Sequence, residues 1–339
     1  MKTISLSILA FGLLFLSGAH SDVAASGSSF ESSDNDAITL PDYRIAGFIQ
    51  QQFVVDESPD SPARFSTHRA RIGISGQVTD RIRVNFVGGF VEPPSRTPRL
   101  VNAFVDFDVH PLLQIRTGQF LVPFGLEGPE VITFNPAIER STVIRRTNTM
   151  NMFRDVGVQL SGRHSGLSYA VALVNGTGAN NAEQIEPKDL LGRVGYNIIS
   201  SVNVGVSAHL GQYRPDPAVD INEARYRLGA DISYSGDPVF FRAEYVYRED
   251  NRTDASALQM NGFYVLGGYH ITGRIQGIAR FEYLDPNSDA ASDELSIITL
   301  GANYRFAGNT RISANYEIRD DKLNPDLGNV FTVQMQVAL

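Results

Sequence analysis

The connections between the period-two segments of this chain alternate without a break between short and long. From Tyr43 onward, apolar residues recur at every second position over stretches of about ten residues. In ARYRLGADISYS, residues Ala224, Tyr226, Leu228, Ala230, Ile232 and Tyr234 share one face, and Arg225, Arg227, Gly229, Asp231 and Ser233 the other. RISANYEIRD repeats the pattern, with Ile312, Ala314, Tyr316 and Ile318 opposing Arg311, Ser313, Asn315, Glu317 and Arg319. About 16 such segments start near 44, 67, 81, 99, 113, 153, 166, 188, 201, 224, 238, 258, 274, 295, 309 and 328.

Seven short connections fall at 79–80, 110–111, 163–166, 200–201, 235–237, 272–273 and 307–309. Eight long ones fall near 55–66, 92–98, 122–152, 175–187, 212–223, 249–257, 285–294 and 320–327. Sixteen strands with both termini on one side of a membrane require that tally, with turns inside and loops outside. A soluble sandwich has no reason to sort its loops this way. The sequence therefore predicts an all-β fold: a transmembrane antiparallel β-barrel of about 16 strands over 43–339, with short periplasmic turns and long extracellular loops.

The N-terminus agrees. Met1-Lys2 precedes an apolar run from Ile4 to Leu16, shorter than the ~20 residues of a spanning helix. Small residues follow at 19–25. This reads as an export signal over 1–21, its cut falling as late as 25. Residues 22–42 are small, polar and acidic, and read as a flexible lead-in. Localisation in a Gram-negative outer membrane follows from signal and barrel together.

Composition excludes several classes. Cysteine is absent, which removes disulfide scaffolds, thiolate metal sites and cysteine nucleophiles. A net charge of −8 argues against a nucleic-acid partner. The histidines of the expected barrel are His68, His110, His164, His209 and His270. His110 and His164 fall at periplasmic turns, His209 reads as lumenal, and His68 and His270 read as rim or lipid-facing. No nucleophile elbow, zinc-protease motif or phosphate loop occurs, so no enzyme and no cofactor is implied.

Alternation sorts the charges. It places Arg69, Arg71, Arg81, Arg83, Arg116, Arg225, Arg227, Arg242, Arg248, Arg274, Arg280, Arg305, Arg311 and Arg319 on the lumen face. The inward acids are Asp106, Asp108, Asp155, Asp231, Glu244, Glu282 and Glu317, giving 14 bases against 7 acids. Arginine outnumbers lysine 26 to 3. Arginine carries a permanent charge and a planar fork of donors suited to oxyanions. A ladder of such groups in a pore concentrates anions. The competing reading is that these arginines pair with lumen carboxylates, Arg242 with Glu244 or Arg280 with Glu282. Aromatic residues, among them Phe240, Phe241, Tyr245, Phe263, Tyr264, Tyr269 and Phe281, read as lipid-facing girdles. Phe104 and Phe120 are the aromatics expected inside.

The segment 122–152 is too long for a simple loop tip. Its inward folding would set the bore, with Glu139, Arg140, Arg145 and Arg146 as its charged residues. The surrounding motifs resemble a known family. Gly118-Gln119-Phe120-Leu121-Val122-Pro123-Phe124-Gly125-Leu126-Glu127 is similar to a characteristic segment of the phosphate-selective porin O and P family. Ile138-Glu139-Arg140-Ser141 and Arg154-Asp155-Val156-Gly157-Val158-Gln159-Leu160-Ser161-Gly162 resemble its next loop and strand. Further likeness lies at 175–178, 262–269 and 280–286.

The resemblance implies a 16-stranded outer-membrane porin, a homotrimer passing phosphate or other small anions, with lipid and lipopolysaccharide as its surroundings. The family's phosphate-specific members carry a lysine cluster, whereas this chain has only Lys2, Lys188 and Lys322. Selection would then rest on arginine. Two other readings stay open. One is a closed or narrow barrel with a structural or surface-recognition role, resting on the acidic outer loops. The other is a sugar or dicarboxylate channel.

Overall fold

The computed structural model describes residues 43–183, 185–215, 221–253 and 255–339. The expected export signal and lead-in lie outside the described residues. The strands are β1 (Tyr43–Asp56), β2 (Arg64–Thr79), β3 (Ile82–Val91), β4 (Arg99–His110), β5 (Leu113–Leu121), β6 (Arg154–His164), β7 (Leu167–Val174) and β8 (Asp189–Ile199). They continue as β9 (Val202–Tyr213), β10 (Glu223–Ser235), β11 (Val239–Asp250), β12 (Leu258–His270), β13 (Ile275–Asp285), β14 (Leu295–Ala307), β15 (Thr310–Asp321) and β16 (Val330–Ala338). Every strand pairs antiparallel with its sequence neighbours, and β1 with β16 closes the barrel. The seven short and eight long connections alternate as the sequence indicates, and each strand starts within three residues of its expected position.

Burial is inverted relative to a water-soluble domain. On β10, Leu228 is 56 % exposed and Tyr226 40 %, whereas Arg227 between them is 2 % exposed. An apolar belt of this extent is stable only against lipid. Closure satisfies every strand edge within the chain, the condition for crossing hydrocarbon. The closing seam is polar on its lumen side. Gln50 Nε2 donates to Gln336 Oε1 at 2.8 Å, and Gln52 Nε2 to Gln334 Oε1 at 2.9 Å.

The structure corrects several faces. Tyr264 is fully buried and points inward, its hydroxyl 3.3 Å from Glu244, and Phe240 packs inside with it. Both were expected on the lipid girdle. The lumen wall here is apolar because a loop covers it, which simple alternation cannot reveal. A register shift between Gln50 and Gln51 leaves an extra residue on β2 opposite them. Such a bulge re-aims a side chain. It turns His68 away from the lipid, so that Nε2 lies 2.8 Å from Glu139 Oε1 in the lumen. His270 is also inward, between Asp237 and Gln276 near the short-turn end.

Candidate functional site

Residues 122–153, between β5 and β6, fold into the barrel. Val122-Pro123 leads to Gly125, whose φ of +76° only glycine adopts readily. A side chain there would also collide with Glu244 Oε1. The close approach lets Glu244 accept the backbone N–H groups of Leu126 at 3.0 Å and Glu127 at 3.1 Å. Farther along, the short helix α1 (Thr142–Thr147) begins at Ser141, whose Oγ accepts from Val143 N at 3.1 Å. Glu282 on β13 meets this helix start. It accepts from Ser141 Oγ at 2.7 Å and from the Thr142 N–H. A carboxylate at a helix N-terminus is doubly favoured, by the orphan donor and by the dipole.

Other ties extend around the wall. Asn303 donates to Pro136 O, Arg311 to Asn135 O and Gln336 to Thr133 O. Arg69 grips Glu139 with two bonds of 3.0 and 2.9 Å. The loop thus lies against the wall from β9 round through β16 to β2. Beneath it Ala137 and Ile144 pack on Val246, Tyr264, Leu266 and Ile278, and Val143 packs on Met260, Leu284, Leu295 and Ile297. Those wall residues are apolar on the lumen face because the loop, not water, is their neighbour.

Most lumen arginines carry a carboxylate. Arg71 binds Glu92 at 2.6 and 2.7 Å, and Arg116 binds Asp106 at 2.7 and 2.9 Å. Arg193 binds Asp231 at 3.1 and 2.5 Å, and Arg225 reaches Asp189 at 2.6 Å, which also holds His209 at 2.7 Å. Arg83 pairs with Asp108 at 3.0 Å, and Arg280 with Glu282 at 2.7 Å. Arg242 does not use its strand neighbour Glu244. It goes to Glu127 and Glu130 of the loop. Arg248 pairs with Asp250, and Arg319 with Glu317. The expected two-to-one excess therefore narrows. Glu92, Glu127, Glu130 and Glu139 from the connections, with Asp189, Glu223 and Asp250 at strand ends, join the lumen acids.

Arg81, Arg163 and Arg305 at the short-turn end have no ion pair among the described residues, and the same holds of Arg44 and Arg274 there. Arg81 and Arg163 line a cavity of about 1040 Å³ on the β3–β8 side, the side that the loop does not fill. The cavity runs from the short turns up to Leu121, Pro123, Pro129 and Val131. A second cavity of about 300 Å³ lies beyond the loop, lined by Thr149, Gln212, Tyr213 and Arg225 among others. Between the two levels Phe120, Val122, Met150, Ala172, Val174 and Leu191 form a cluster in which none is more than 4 % exposed.

A sequence profile of the phosphate-selective porin O and P family matches residues 42–219 and 218–339. The chain belongs to that family. It is therefore an outer-membrane porin. No curated protein sequence matches it. Solved porins share the fold at low identity. The trimer form of OmpT from Vibrio cholerae is 13 % identical, with a TM-score of 0.70 over 88 % of this chain and 100 % of that one. An anion-selective porin from Comamonas acidovorans is also 13 % identical, with a TM-score of 0.66 over 88 % and 100 %. Salmonella typhi OmpF in complex with daunomycin gives 13 % and 0.64 over 88 % and 97 %.

In this porin the arginines expected along the pore separate into three groups. Arg69, Arg225, Arg227, Arg242, Arg280 and Arg311 are buried, none more than 8 % exposed. Arg71, Arg83 and Arg116 are held by carboxylates at the wall. Arg81, Arg274 and Arg305 are exposed and free of ion pairs among the described residues. Arg227 stands out among the buried set. It is flanked by His209 and Arg248 in the sheet, and its side-chain partner is Thr149 of the loop. Like charges directly opposite are costly, and Asp250 on Arg248 offsets the clash.

Arg140 donates to the carbonyls of Glu127 and Glu130. It fastens the loop to itself instead of facing a solute. Arg145 bonds to Arg140 O and Thr142 Oγ1, and the Arg146 carbonyl accepts from Arg248. Sequence alternation missed Arg154, Arg163 and Arg193. Arg163 reads as part of a turn, and Arg193 sits in DLLGRVGYNII, where lumen-facing Leu191 hides the period.

Proposed function

We propose that this porin is a passive channel for small solutes with a preference for anions. The observation that carries the reading is the cavity of about 1040 Å³ with Arg81 and Arg163 on its wall, neither in an ion pair, while the one carboxylate among its lining residues, Asp108, is held by Arg83 at 3.0 Å. Unpaired cations on the wall of a low-dielectric pore raise local anion concentration, whereas paired arginines contribute little net field. The loop 122–152 sets the bore. Arg69, Arg242, Arg280 and Arg311 act as its fasteners, and Arg81, Arg163 and Arg305 supply the selecting charge. The Comamonas neighbour, described as anion-selective, lies in the same direction. The fold of the OmpT trimer form supports assembly as a homotrimer. Residues 1–21 serve as the export signal, the acidic outer loops face lipopolysaccharide, and the protein performs no reaction.

The test is planar-bilayer conductance of the refolded protein under a KCl gradient, repeated with phosphate. A reversal potential on the anion side supports the reading, and one on the cation side overturns it. The apolar cluster around Met150 favours a second reading, a barrel closed at mid-height with a surface role. Silence from a folded barrel would select that one.

A further inference from the structure

The walls of the 1040 Å³ cavity are chemically unequal. Its loop side is apolar: Leu121, Pro123, Pro129 and Val131, continued by the Phe104 ring. Its strand side is polar, with Gln114, Gln159, Ser161 and Ser168, and with Asp108, whose carboxylate is held by Arg83 at 3.0 Å and by Gln114 at 2.9 Å. The cations deep in the cavity are already neutralised. Arg116 lies 4.0 Å over the Phe104 ring centroid and is bound by Asp106 through both forks. Arg193 is bound by Asp231 in the same way. The charge left over, Arg81 and Arg163, sits at the short-turn mouth.

From this arrangement we infer that the cavity binds organic anions with an apolar body, such as aryl or alkyl monocarboxylates, in preference to inorganic phosphate. The inference rests on the anion-channel reading above and names its solute class. A phosphate ion is hydrated on every side. Against the apolar wall it must give up water that no donor there replaces, and Arg116 and Arg193 are already engaged by Asp106 and Asp231, so only the strand-side amides and hydroxyls compensate the cost. A monocarboxylate presents one charged end to Arg81 and Arg163. Its body lies along Phe104, Pro129 and Val131, where apolar contact is favourable in proportion to area. The Arg116–Asp106 pair keeps the Phe104 ring in place by a cation–π contact on one face.

The test compares sodium benzoate, acetate and inorganic phosphate as blockers of KCl current, added on the short-turn side, after the reversal potential has been measured in the same bilayers. Benzoate is expected to reach half-block at a concentration at least tenfold below acetate, with phosphate no better than acetate. The double substitution Pro129→Ser and Val131→Ser should raise the benzoate value several-fold and leave acetate unchanged. Arg163→Gln should weaken both alike. Equal block by benzoate and acetate, or phosphate blocking at the lowest concentration, overturns the inference even where the channel prefers anions. A cation-side reversal instead overturns the anion reading beneath it. Ligand-observed NMR of benzoate against acetate on the detergent-folded protein reads the same preference in a non-conducting barrel, and equal signals there also overturn it.

Discussion

Shortening Met150 to alanine should open the bore. Met150 is 1 % exposed and packs between Phe120 of β5, Val174 of β7 and Leu191 of β8, at the level that separates the two cavities. A gap of about 20 Å³ borders Val122, Phe124 and Leu191 there, too small to carry a water chain. The Met150 backbone is pinned independently, its carbonyl accepting from Phe153 N at 3.1 Å and from Asn148. Met150→Ala therefore removes Cγ, Sδ and Cε without letting the loop settle into the space. The loss of packing is about 2–5 kcal/mol for a buried methionine. The vacated volume holds on the order of two waters at ~30 Å³ each.

Narrow apolar constrictions exclude water and ions, and widening one by a water layer lets it wet. Single-channel conductance of Met150→Ala in a planar bilayer should rise at least twofold over the parent. Met335→Ala, on the lipid face of β16, should leave conductance unchanged. Conductance equal to the parent in a heat-modifiable, folded Met150→Ala barrel would refute the assignment of this cluster as the narrowest level.

Replacing Arg81, Arg163 and Arg305 together by glutamine should lower the anion-to-cation permeability ratio several-fold, read as a shift in reversal potential, because no carboxylate shares their charge among the described residues. Arg71→Gln should instead act on stability. It leaves Glu92, 1 % exposed, without its cation, at a cost of about 3–5 kcal/mol, read as earlier unfolding in urea; the double variant Arg71→Met, Glu92→Leu should recover most of it. Glu282→Gln keeps one acceptor oxygen but loses its charge toward Thr142 N–H and Arg280. Charge-assisted bonds of about 1.5–3 kcal/mol become neutral ones of about 1, and amide exchange over 141–147 should quicken roughly tenfold or more. Deleting 130–148 should raise conductance and also lower stability, since it bares Val246, Leu266 and Leu284 to water in the lumen.

The barrel was legible in the sequence because three local signals agree. Side chains alternate with period two, strand length matches a membrane, and turn length tells the two sides apart. None needs a distant residue to be placed. The same locality explains which faces came out right. Arg225, Arg227, Arg311 and Phe120 point inward because their strands alternate cleanly. It explains the failures as well. His68 is inward because of one extra residue on β2, and such a register shift has no composition of its own. Tyr264, Leu266 and Leu284 break the polar-inside rule because a segment more than a hundred residues away lies over them.

The fate of most of the arginines belongs to tertiary structure. Counting by face gives a basic pore wall, yet a charge is free or spent according to its partner. Arg69 is spent on Glu139, Arg242 on Glu127 and Glu130, and Arg71 on Glu92, all from connections that alternation cannot place. Arg280 with Glu282, Arg248 with Asp250 and Arg319 with Glu317 are the exceptions that sequence supplies, each pair being two residues apart on one face. The sequence alone determined a closed membrane barrel with an arginine-rich interior, since strand period and loop length are properties of adjacent residues. Only the folded chain decided where that barrel narrows and which arginines keep their charge, because both depend on where residues 122–153 come to rest.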